Sequence, residues 1–91
     1  MQTIQQMTTF IQGSVTSGEL SSGLGDVLIA TISAAKVSLN NGNTLATIVE
    51  LKAFVAQVKI YVNFGILPPT DGQILIDKAN DVIDYLSNQV T

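Results

Sequence analysis

Apolar residues recur at Ile4, Ile11 and Val15, with Thr8 filling the gap, and again at Leu28, Ile32, Ala35 and Leu39; both sets step by four, three and four. That stepping puts each set on one face of an α-helix, with its period of about 3.6 residues. It returns at Leu51, Val55, Val58 and Val62, and at Leu75, Ala79, Val82 and Leu86. The pattern predicts four amphipathic helices.

A shift of 47 positions, without a gap, carries Ile4, Thr8, Ile11 and Val15 onto Leu51, Val55, Val58 and Val62, and the second stripe onto the fourth. Identical aligned pairs include Gly18/Gly65, Leu20/Leu67, Gly25/Gly72, Leu28/Leu75, Ile29/Ile76 and Leu39/Leu86. The chain therefore reads as a duplicated helical hairpin, with approximate repeats over 4–39 and 51–86.

The shared phrase, GELSSGLGDVLI at 18–29 and GILPPTDGQILI at 65–76, is the hairpin connector. Gly18 and Gly65 stand where a helix must stop, and glycine accepts the left-handed backbone a C-terminal cap requires. Pro68 and Pro69 read as an extended stretch, and Thr70 and Gln73 have capping-box spacing, which predicts a fourth helix starting near Asp71. Ser21, Ser22 and Gly23 replace that chemistry in the first copy, so the first turn is expected to be the looser. Leu20 and Leu67 sit mid-loop, where exposure gains nothing, and are expected to plug the core. In NNGNT, residues 40–44, Gly42 follows the second helix and Asn43 caps the third.

Connectors this short make successive helices antiparallel neighbours. The expected fold is all-α: one domain over 1–91, an up-down-up-down four-helix bundle made of two pseudo-symmetric hairpins.

Composition narrows the function. The chain is 46% hydrophobic and 12% charged, enough apolar surface to fold rather than stay disordered. Net charge is −3 and there is no arginine, which argues against a nucleic-acid partner. Apolar runs such as Val27 to Ala30, none of them longer, fall far short of a membrane span, so none is expected. The first eighteen residues carry no charge and thus no basic signal-peptide start; whether Met1 is native stays open.

No histidine and no cysteine are present, which removes the commonest general base, the thiol nucleophile and the usual transition-metal ligands. No enzymatic activity, cofactor or metal is expected. SGLGD at 22–26 resembles a phosphate loop but lacks the lysine and the preceding strand, and reads as a cap and turn. Asp77, Asp81 and Asp84 share one helix face: a cation site, an acidic docking stripe, or a solvated surface, the last favoured because Ca²⁺ wants six to eight converging oxygens. Phe10, Phe54, Tyr61 and Tyr85 fall one step off the core stripes and Phe64 closes the third helix. Such residues wall a core, but Tyr61, Phe64 and Tyr85 are also candidates for a patch that binds a protein or carbohydrate.

The run from GNTLATIVELKAFVAQV through GILPPTDGQILIDKANDVIDYL resembles the FIMAH domain, a small helical module of extracellular bacterial and archaeal proteins. Gly42, Asn43, Ala46, Leu51, Phe54, Val55 and Val58 carry the resemblance, with Gly65, Leu67, Leu75, Ile76, Ala79, Ile83 and Leu86. It implies a non-catalytic accessory role, as an interaction or spacer module of an extracellular or cell-surface protein, and transfers no catalytic residue. Two other readings are a helical domain that self-associates as a weak homodimer, and a carrier that opens to hold a small apolar ligand.

Overall fold

The computed structural model describes residues 2–89, leaving Met1 outside. Four helices, α1 (Gln2–Thr16), α2 (Ser22–Asn40), α3 (Thr44–Asn63) and α4 (Pro69–Gln89), form an up-down-up-down bundle. Each helix packs on two neighbours, α1 on α2 and α4, α3 on α2 and α4, so the four close a ring around one core. The longest dimension, 39 Å, runs along the helices, against 20 and 17 Å across.

The anticipated stripes fill that core. Leu28, Leu51, Val58 and Leu75 are buried, and Thr8, Val15, Leu39, Val55 and Val62 stand half-buried at its margins. One expectation is corrected: Phe54, placed in the wall, is fully buried, as is Met7, its counterpart 47 residues earlier. The stripes of α1 and α3 are thus centred one residue N-terminal of Thr8 and Val55. A 4-3-4 pattern admits both tracks on one face, and the approach of α2 and α4 decides which lies deepest. Among the described residues the buried polar side chains are Thr47 and Ser14, and both bond locally: Thr47 Oγ1 donates to the carbonyl of the cap residue Asn43 at 2.8 Å and Ser14 Oγ to the Phe10 carbonyl at 3.2 Å.

The duplication extends to individual hydrogen bonds. Gly18 N–H donates to the Val15 carbonyl and Gly65 N–H to the Val62 carbonyl, both at 3.1 Å. Glu19 and Leu20 donate to Ser14 at 3.0 and 3.2 Å, and Ile66 and Leu67 to Tyr61 at 2.8 and 3.3 Å. Both glycines have positive φ, 86° and 72°, the left-handed turn of a Schellman cap. Gly42, φ 77°, closes α2 in the same way. The first connector is not the looser one, because these bonds are made by backbone groups that the Ser-to-Pro exchange leaves untouched. Leu20 and Leu67 are buried under the two connectors, as their mid-loop position implied.

The helix starts differ in detail. Ser21 caps α2 by accepting from Leu24 N–H, and Asn43 caps α3 by accepting from Ala46 N–H. α4 begins at Pro69, two residues earlier than the capping-box reading, and the Pro68 carbonyl accepts the first helical bond from Gly72 N–H at 2.9 Å. Proline suits a first helical position, where its missing N–H would be unpaired anyway. Thr70 therefore lies inside the first turn rather than at its cap, and Gln73 pairs forward, its Nε2 donating to Asp77 Oδ1 at 2.7 Å.

A close approach fixes each hairpin. Gly25, in the first turn of α2, faces Val15 near the end of α1, and a Cβ on it would sit 2.5 Å from Val15 Cγ2. Gly72 of α4 stands in the same relation to Val62 of α3, closer still. A methyl group cannot fit at either crossing. These two glycines, aligned by the 47-residue shift, set how near the helices of each hairpin come at their closed end.

Candidate functional site

With the large aliphatic side chains of the stripes buried in the core, the polar groups that could recognise a partner lie mostly at the surface. The two hairpin connectors meet at one end of the bundle, where Asp71, in the first turn of α4, faces Glu19 from the first connector. Partial burial raises the Asp71 pKa above its ordinary value, and the hydrogen bond and charge of Glu19 raise it further. Ser17 Oγ holds Glu19 in place, donating to its Oε1 at 3.1 Å. A shallow groove of about 280 Å³ opens at the same end between α3 and α4, lined by Lys59, Val62, Asn63, Pro69, Gln73 and Ile76. Its apolar floor includes Val62 and Ile76, which pack against the core.

Asp77, Asp81 and Asp84 line the exposed face of α4, as their spacing implied. Among the described residues no group of three or more carboxylates converges to hold a metal ion. The side-chain partners on this side are uncharged: Asp77 accepts from Gln73, and Lys78 Nζ donates to Gln6 Oε1 of α1 at 3.4 Å.

The aromatic patch is corrected. Phe64, 76% exposed, caps α3 at the connector end, and Tyr61 is half-buried against the core one turn before it. Tyr85 is exposed but lies sixteen residues into antiparallel α4 from Pro69, about 24 Å along the axis at 1.5 Å per residue. It stands near the other end of the bundle, so these three residues do not form one surface.

Sequence reasoning missed the outer side of α2 and α3. Thr31 Oγ1 donates to Gln57 Oε1 at 3.0 Å and Ser38 Oγ to Glu50 Oε1 at 2.6 Å, two bridges that mark the seam between these helices. Around them the surface is apolar. On α2, Val27, Ala30, Ala34 and Val37 are exposed; on α3, Leu45, Val49, Ala53, Ala56 and Ile60 are exposed, Leu45 and Val49 by about two-thirds. Steps of three and four residues align each set in a strip along its helix.

The same feature shows in α2 as a whole: Ser22–Asn40 is long and apolar enough, by length and composition, to cross a membrane, with mean hydropathy 1.3 over an 18-residue window. The longest unbroken apolar run does not reveal it, because Asp26, Thr31, Ser33, Lys36 and Ser38 break up the apolar residues while adding only two charges. Here α2 contributes Leu28, Ile32 and Ala35 to the bundle core.

Comparison with protein-family models, with curated proteins and with solved structures finds no match to this chain.

Proposed function

We propose that the chain is a non-catalytic accessory module, for interaction or spacing, of an extracellular or cell-surface prokaryotic protein. The observation that carries this reading is the contrast between a buried core and an apolar strip left exposed outside it. Phe54, Met7, Leu28 and Leu51 occupy the centre of the bundle at no more than 1% exposure, while large aliphatic residues stand in water along α2 and α3. A fold that buries its core well and still displays a contiguous apolar strip is built to meet another surface. The resemblance to FIMAH modules, carried by packing and capping positions such as Gly42, Asn43, Leu51 and Gly65, supports an accessory role and supplies the extracellular setting. The composition is compatible with it, since a chain without histidine or cysteine lacks the commonest general base and the thiol nucleophile.

Whole-cell labelling tests the setting. An antibody raised against the folded domain should label intact cells that carry the gene. Labelling only after permeabilisation overturns the extracellular reading. Deleting the domain from its parent protein should leave that protein's chemistry intact while changing its attachment or assembly; loss of the chemistry itself contradicts the accessory role.

A further inference from the structure

The internal repeat supplies its own control. A two-fold relation between the hairpins carries α2 onto α4 and α3 onto α1, and therefore the outer α2/α3 face onto the outer α4/α1 face. Lys78 holds the position on α4 that Thr31 holds on α2, and each reaches across its own seam, to Gln6 and to Gln57. Val27 and its counterpart Ile74 are exposed and apolar in both copies, and at the other solvent positions between, the two faces part company. Ala30, Ala34 and Val37 of α2 correspond to Asp77, Asp81 and Asp84 of α4, and Ala53, Ala56 and Ile60 of α3 to Gln6, Thr9 and Gly13 of α1.

All twelve positions are exposed. The bundle core therefore does not dictate the difference: one backbone position in water tolerates aspartate in one copy and carries alanine or valine in the other. What distinguishes the faces lies outside the single chain. We infer that the α2/α3 face docks a second copy of this chain, giving a two-fold dimer with the acidic α1/α4 faces turned outward.

Three features favour a second copy. Area is the first. A face two helices wide, 20 Å by the roughly 23 Å from Leu45 to Ile60, presents on the order of 500 Å² before side-chain relief is counted. Two such faces reach the roughly 1,000 Å² that a specific interface requires. Shape is the second, since alanines occupy the middle of the strip on both helices and larger Val, Ile and Leu side chains its ends. Two copies related by a two-fold axis through that middle bring their backbones close at the centre and interdigitate at the ends. Charge is the third. Each chain carries −3, and docking through α2/α3 leaves the two aspartate stripes roughly 35 Å apart or more, across two thicknesses of 17 Å and beyond a Debye length of about 8 Å. The same net charge opposes an anionic membrane as the occupant.

This names a partner for the interaction reading but is tested separately: cell labelling addresses the setting, and the purified protein addresses the dimer. Sedimentation velocity of the full chain, from micromolar to millimolar, should show a monomer giving way to a dimer. Replacing Ala30, Ala34 and Val37 with Asp, the residues α4 carries at those positions, should weaken the dimer by roughly a hundredfold or more, because like charges then face each other across the interface. Ala53→Gln with Ala56→Thr, the residues of α1, should weaken it too and decides the matter if the aspartate variant fails to fold. Gln6→Ala with Thr9→Ala should leave it unchanged. A chain that stays monomeric throughout overturns the inference. So does a dimer indifferent to both sets of changes, or a monomer that co-sediments with phosphatidylcholine vesicles through this face.

Discussion

Adding one methyl group at Gly25 or Gly72 tests the hairpin geometry most sharply, because local propensity and tertiary packing predict opposite signs. Alanine in place of glycine inside a helix stabilises by up to about 1 kcal/mol when nothing else changes. At Gly25 the new Cβ meets Val15 Cγ2 at 2.5 Å, at least about 1 Å inside the 3.5–4.0 Å at which carbon atoms attract. The valine methyl sits on a stiff, β-branched stem and cannot swing aside as a lysine would. Either α1 and α2 separate or a rotamer is strained, at about 1–3 kcal/mol for an overpacked contact. The overpacking term is the larger, so Gly25→Ala should lose up to about 2 kcal/mol net, and Gly72→Ala a similar amount against Val62.

Gly13 supplies the comparison within the molecule: it is helical and exposed, and nothing lies within 4 Å of where its Cβ would stand, so Gly13→Ala should gain about 0.5–1 kcal/mol. Urea unfolding followed by circular dichroism reads all three changes, provided the m-value holds steady. Pairing Gly25→Ala with Val15→Ala removes the clashing methyl, and the double mutant should retain at least about 1 kcal/mol more stability than the sum of the single changes allows. If Gly25→Ala and Gly72→Ala stabilise as Gly13→Ala does, or the cycle is additive within about 0.5 kcal/mol, the close approach is wrong.

Three further outcomes follow from the caps and the connector end. Gly18→Ala and Gly65→Ala should each lose about 1–2 kcal/mol, since both sites hold positive φ, with the asparagine variants losing less; thermal unfolding would show this as a shift of roughly 4–8 °C per kcal/mol. Asn43→Ala should lose about 1 kcal/mol with its bond to Ala46 N–H, whereas Thr70→Ala, inside the first turn of α4, should change little. Glu19→Gln should stabilise the fold at neutral pH. Asp71 resists ionisation in the folded chain, so its folded pKa lies above the unfolded value and stability falls as pH rises from below 3.8 through the folded pKa. Removing Glu19 lowers that folded pKa, and the gain should shrink as the solution is acidified through the carboxylate range. A gain independent of pH would contradict it.

What is legible in the sequence is what local stereochemistry and helical period determine. Gly18, Gly42 and Gly65 read as stops because left-handed backbone excludes most side chains, and Asn43 as a cap because its side-chain oxygen reaches the first turn. Leu28 and Leu75 read as core because two copies of one pattern agree on them. Phe54 escapes the pattern because a stripe one residue wide is a finer distinction than periodicity makes. Its centre depends on the packed neighbours. The start of α4 is hidden because two successive prolines suggest extended chain, although the first helical position accepts one. Gly25 and Gly72 stand out as a matched pair, but only the packed hairpin reveals that Val15 and Val62 occupy the space where a methyl would go. The contrast between Ala30, Ala34, Val37 and Asp77, Asp81, Asp84 is present in the 47-residue alignment. It carries meaning only once all six positions are known to face solvent.

The central claim is that two equivalent hairpins share one core, and Leu28→Ala measured beside Leu75→Ala tests it most directly. Both leucines are buried to 1% exposure or less and occupy matching places in α2 and α4. Each variant should lose about 2–5 kcal/mol in denaturant unfolding, and the two losses should agree within roughly 1 kcal/mol. A loss below about 1 kcal/mol at either site would contradict the shared core, since a leucine truncated in packed surroundings leaves a cavity that such a small loss does not allow.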